Sequence, residues 1–165
     1  MSLTLTSLEN IPIIRQGDIL ADILVKSLAD QNIELQENDI LVLAQKIVSK
    51  SEGRMINLAT VDPSPQAIEL AQKTEKDPRV VELILQESNE VIRSRVGAII
   101  VEHKLGFVCA NAGIDHSNVA GYGDANEEYV LLLPENPDRS AKQLRDQIKE
   151  KNNITIMSRF IFFKL

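Results

Sequence analysis

At 165 residues, with 25% charged and 44% hydrophobic side chains, the chain has the size and balance of a globular domain able to build a proper core. Its formal net charge of -6 argues against a nucleic-acid partner, because phosphate backbones are held by clustered Lys and Arg. One cysteine, Cys109, excludes an intrachain disulfide. Two histidines, His103 and His116, exclude a three-histidine zinc site, so a metal here would be held by oxygen, which suits Mg²⁺ or Mn²⁺.

The N-terminus "MSLTLTSLENIP" has no basic n-region and no long apolar h-region, and no run approaches the roughly 20 apolar residues of a membrane span. A cytoplasmic location is expected. "LTLTSL" (3–8) alternates and predicts a strand. Asp18 is placed to cap a helix over roughly 19–31, with Ile19, Ile23, Leu24 and Leu28 at helical spacing. "DILVLAQKIVSK" (39–50) opens as an apolar run that suits a buried strand, then passes into a polar loop where Gly53 can take an unusual φ.

"DPSPQAIELAQKTEKDP" (62–78) predicts a short helix, with Pro65 in its first turn after Ser64. "DPRVVELILQESNEVIR" repeats that grammar: Asp77 caps, Pro78 opens, and Val81, Ile84, Leu85 and Ser88 share a face. Residues 96–113 read as a hairpin turning at His103 to Gly106. Residues 119–129 read as a polar loop. "YVLLLP" is a strand stopped by Pro134, and "NPDRSAKQLRDQIKEKNN" is a last helix with Ala141, Leu144 and Ile148 inward. Strands and helices intermix, so the class is α/β of the mixed α+β kind. The tail "ITIMSRFIFFKL" changes character: it has no acidic residue and holds Phe160, Phe162 and Phe163. A domain over 1–151 and a divergent apolar tail over 152–165 are expected.

Two positions carry candidate chemistry. Lys50, in "VSKSEGR" after the predicted strand, could reach a phosphate as a point charge, although the P-loop pattern is absent. The plain alternative is a surface lysine. Asp115 lies in "CANAGIDHSNV", where Ala112 and Gly113 would let an ion or ligand approach the backbone and Asn118 could hydrogen-bond a base or phosphate. The plain alternative is a turn in which Asp115 and Ser117 satisfy local N–H groups. His116 reads as an exposed turn residue.

The blocks "IPIIRQGD", "VLAQKIVSKSEGR", "ELAQKTEKDPRVVELILQES", "GFVCANAGIDHSNV" and "LLLPENPDRSAKQLRDQI" resemble, in order, successive blocks of the coenzyme F-420-0: L-glutamate ligase family. The resemblance spans about residues 11 to 148. It implies a GTP-dependent amide ligase that adds L-glutamate to the lactyl carboxylate of the deazaflavin precursor F-420-0, with Mg²⁺ or Mn²⁺, an association with K⁺, and a homodimer. It further implies that Ile11, Pro12, Ile13, Ile14, Gln45, Lys50 and Asn118 contact the nucleotide and that Asp115 binds the metal. No catalytic side chain is implied. The family continues past the last helix through a strand into an Asp-Thr-x-Gly-Arg motif, and this chain has no Asp-Thr pair there. The chain is therefore expected to be incomplete or inactive by itself. The alternatives are a non-catalytic nucleotide-binding or dimerising remnant, or a ligase of the same family for another carboxylate acceptor.

Overall fold

The computed structural model describes residues 3–37, 39–116 and 128–152. In chain order its elements are α1 (Leu20–Asp30), α2 (Gln45–Ser51), β1 (Met55–Asn57), α3 (Pro65–Thr74), α4 (Pro78–Gln86), β2 (Ser88–Arg95), β3 (Ala98–His103), β4 (Val108–Ala110), β5 (Tyr129–Leu131) and α5 (Pro137–Asn152). Short 3-10 turns cover Leu58–Thr60 and Asn111–Gly113. The fold is the mixed α/β class expected. Its described strands pair antiparallel, as β1–β5 and as β2–β3–β4. Among the described residues, no helix is long and apolar enough to cross a membrane.

The chain forms two compact units: residues 1–53 with 134–165, and residues 54–133. In the first unit, Leu20, Leu24 and Leu28 of α1 and Leu144 and Ile148 of α5 share one buried cluster with Leu43 and Val48. Lys151 on α5 pairs with Asp22 on α1 at 2.6 Å. The α5 face is the one expected, with Leu144 and Ile148 buried and Ala141 half-buried.

In the second unit, α3 and α4 pack against the three-stranded sheet. The inward residues of β3 are Ile99, Val101 and His103, two apart, as strand geometry requires. Val81, Ile84, Ile99, Val101 and Val130 are fully buried in one cluster, each worth about 1.5–3 kcal/mol relative to exposure. The capping grammar is realised: the Ser64 hydroxyl accepts the Ala67 N–H at 3.2 Å, and the Asp77 carboxylate accepts the Arg79 N–H at 2.8 Å.

Three expectations fail in the first unit. Residues 3–8 form no strand; among the described residues they have no ladder, and Leu3 and Leu5 are more than four-fifths exposed. Residues 39–44 likewise form no strand, and the loop expected beyond them is helix α2. The Gln45 side-chain amide donates to the Ser49 hydroxyl at 2.7 Å, one helical turn on, and Val48 turns into the core, which favours helix over this stretch. Asp18 does not cap α1. Its carboxylate turns back to accept the Arg15 N–H at 2.7 Å, and the N-cap is Ile19, without a side-chain bond. The helix predicted from Asp77 also stops sooner than its pattern suggests, because Ser88 opens β2. The polar loop at 119–129 falls mostly within 117–127, and the apolar tail within 153–165; both segments lie outside the described residues.

Candidate functional site

The sequence candidates fall in different units. Ile11, Pro12, Ile13, Ile14, Gln45 and Lys50 belong to the first, and Asp115 to the second. Asn118 lies outside the described residues.

In the first unit, Ile14 is buried and Ile11 half-buried against the helical cluster, whereas Pro12 and Ile13 face solvent. The segment ends in a turn at Arg15 to Asp18, where Gly17 takes φ +85° and its N–H donates to the Ser51 carbonyl at 2.9 Å. Gln45 opens α2 and is buried, its amide directed along the helix to Ser49. Lys50 is half-buried in the last turn of α2, not in a loop after a strand. A cation there also complements the negative end of the helix dipole. Gly53 closes this region at φ +71°, its N–H donating to the Lys50 carbonyl at 3.0 Å.

In the second unit, Asp115 is buried, and its backbone forms a two-bond bridge to Leu131: each N–H donates to the other's carbonyl at 2.9 Å. It follows a tight turn in which Asn111, Ala112 and Gly113 take φ of 51°, 50° and 68°. The small residues have a structural reason. Ala112 is wholly buried, and a Cβ on Gly113 would come within 2.8 Å of Leu133. The Asn111 side-chain oxygen accepts the Ile99 N–H at 3.0 Å and pins the turn to β3. Three successive left-handed residues just before a buried carboxylate are a strained arrangement of the sort that clusters at functional sites. Among the described residues, no three His, Cys, Asp or Glu side chains stand together as a metal cage. Asp115 by itself is one oxygen donor, where Mg²⁺ or Mn²⁺ takes several.

A second cluster escaped the sequence reading. The Arg54 guanidinium donates to the Glu87 carboxylate at 2.6 Å and to the Leu133 carbonyl at 2.9 Å. The His103 ring, almost fully buried, stacks on Phe107 with centroids 5.0 Å apart. Its Nδ1 accepts the Leu105 N–H at 3.0 Å, which assigns the ring proton to Nε2. That Nε2 has no hydrogen-bond partner and lies 3.9 Å from the Glu87 oxygen held by Arg54. Burial pushes the His103 pKa down, with Arg54 and Lys104 adding to the effect and Glu87 opposing it. One signal in the sequence could have found this residue. His103 continues the alternation of Ile99 and Val101, so it points inward rather than into the turn.

A sequence model of F420-0:Gamma-glutamyl ligase matches residues 9–157. The chain belongs to the F420-0:gamma-glutamyl ligase family. Similar proteins include the coenzyme F420:L-glutamate ligase of Methanopyrus kandleri, 47% identical over 137 residues (83% of this chain and 50% of that protein). That of Methanothermobacter thermautotrophicus is 41% identical over 150 residues, covering 91% and 57%. That of Methanosarcina mazei is 35% identical over 144 residues, covering 87% and 52%. The chain spans about half the length of these curated relatives. Both Lys50 and Asp115 fall inside the segment matched to the F420-0:gamma-glutamyl ligase family.

Proposed function

We propose that the chain serves a GTP- and divalent-metal-dependent ligase that joins L-glutamate to the carboxylate of F-420-0. The observation that carries this reading is the family match over residues 9–157, together with relatives of the same name at 35–47% identity. The carboxylate of F-420-0 is a poor acyl donor. Its oxygen would attack the γ-phosphorus of GTP, forming an acyl phosphate and releasing GDP. The glutamate amine would then attack the acyl carbon, form the amide, lose a proton and expel phosphate.

In this reading Ile11, Pro12, Ile13 and Ile14 pack against the nucleotide, with Gln45 and Asn118 as polar contacts. Lys50 is the point charge on the phosphates. Asp115 gives one oxygen to a divalent ion, which when bound would neutralise phosphate charge. K⁺ and a homodimer belong to the same proposal. A ligase for a different carboxylate acceptor, or a nucleotide-binding module without catalysis, would share the GTP site.

Titration calorimetry with GTP and Mn²⁺ tests the reading. Binding is expected for this chain, and Lys50→Ala should weaken it about 10- to 100-fold, as loss of a charge-assisted contact does. No GTP binding by this chain and by a version extended through the family's C-terminal segment, or equal affinity in the lysine variant, would overturn it. A coupled assay on the extended version then separates the acceptors: GTP consumption without glutamylation of F-420-0 would favour another carboxylate, and GTP binding without consumption the non-catalytic module.

A further inference from the structure

We propose that Arg54, Glu87 and His103 form an acid-sensitive latch that fastens the two chain crossings of residues 54–133 to each other and, through Leu131, holds Asp115 in place. The chain enters this unit at Arg54 and leaves it at Leu133. Arg54 grips the departing chain twice, with its carbonyl accepting the Leu132 N–H at 3.0 Å and its Nε donating to the Leu133 carbonyl at 2.9 Å. Next to these bonds, β1 pairs with β5 in the register Met55 to Leu131, and Leu131 in turn bridges Asp115. Arg54 is itself aimed by Glu87, the residue that closes α4. This ion pair is mostly shielded from solvent, so its charge-assisted bond is stronger than an exposed pair would be.

His103 supplies the sensor. In its neutral form the ring accepts the Leu105 N–H at Nδ1 and presents Nε2–H to Glu87 without completing a bond. A second proton can enter only at Nδ1. It would meet the Leu105 N–H head-on and open the turn whose other bonds are His103 N–H to the Phe107 carbonyl and Gly106 N–H to the His103 carbonyl, both 2.8 Å. At the same time the imidazolium would compete with Arg54 for the Glu87 oxygen that both approach. The charged groups acting on the ring are Glu87 just after α4, Arg54 just before β1 and Lys104 from the turn itself. Glu102, the neighbour on β3, is engaged by the Asn89 amide at 2.8 Å. The second consequence of protonation loosens Arg54 directly. The latch stands without any ligand; only its bearing on Asp115 as a metal ligand rests on the ligase reading.

Amide hydrogen exchange on the whole chain at pH 7 and pH 5, corrected for intrinsic rates, tests it. The Leu131, Leu132 and Asp115 amides should exchange about tenfold or more faster at pH 5, while the interior α4 amides lose clearly less protection. Arg54→Gln should show the fast exchange at both pH values. Glu87→Gln, which keeps the side chain's shape, should do the same by a second route. His103→Gln should stay protected at both. Unchanged Leu132 protection in both the Arg54 and Glu87 variants would overturn the latch. So would an acid response that persists in His103→Gln, or α4 losing protection in step with Leu132. Since no nucleotide is present, failure here is distinct from failure of GTP binding.

Discussion

Ala112 takes φ 50° and ψ 26° with its methyl wholly buried, and Gly113 follows at φ 68°. A left-handed alanine costs about 1 kcal/mol, and its buried methyl returns about 0.8 kcal/mol, so Ala112→Gly should be nearly neutral. Gly113→Ala should not be. It adds left-handed strain and drives a methyl to 2.8 Å from Leu133 Cδ1, with Leu133 Cγ at 3.0 Å. A loss of about 1–3 kcal/mol is expected, read as a shift in denaturation midpoint. The contrast between neighbours matters: equal effects would mean that the turn relaxes and stores no strain. If Asp115 is a metal ligand, Gly113→Ala should also weaken Mn²⁺-dependent GTP binding, because the displaced backbone carries the carboxylate.

Elements differ in how local their causes are. The caps of α3 and α4 act within three residues. Ser64 also donates through its N–H and hydroxyl to the Glu82 carboxylate at 2.9 and 2.6 Å, which holds that carboxyl below its ordinary pKa. Ser64→Ala should therefore cost about 1–2 kcal/mol, at the upper end for a cap, and thermal melts would show it as a lowered midpoint. Because Ser, Asp and Pro state these helix starts locally, α3 and α4 were legible in the sequence. β2 was not: "SNEVIRSR" is mostly exposed and polar, and pairing with β3 makes it a strand. α2 was hidden by the apolar run before it, which reads as a strand until the Gln45 to Ser49 bond is seen. The site shows the same division. The small residues before Asp115 stood out, but the need for them at Leu133 is a contact 20 residues away in sequence. Arg54 and Glu87 are 33 residues apart, so no local pattern could join them.

Over the whole molecule, these groups make stability fall as acid is added, in two windows. The ordinary histidine value is 6.5, and burial lowers that of His103, so the folded chain binds its proton less readily than the unfolded chain. Stability from this group is complete above pH 6.5 and declines as pH falls from there toward the folded value. Asp77 is lowered chiefly by its side-chain bond to Arg79, and Glu82 by its bond to Ser64. Their contributions are present above the ordinary values of 3.8 and 4.5 and fade as pH drops through the lower folded values. The upper window therefore belongs to His103, and it can be isolated. Urea midpoints of the parent should decline between pH 7 and pH 5, whereas those of His103→Gln should stay level over that range and decline only in the carboxylate window below it. Parallel curves would assign the upper loss to some other group. Because the His103 ring lies beside the Glu87 oxygen that Arg54 holds, a level curve in that variant would also place the upper-window loss next to the crossing that supports Leu131 and Asp115.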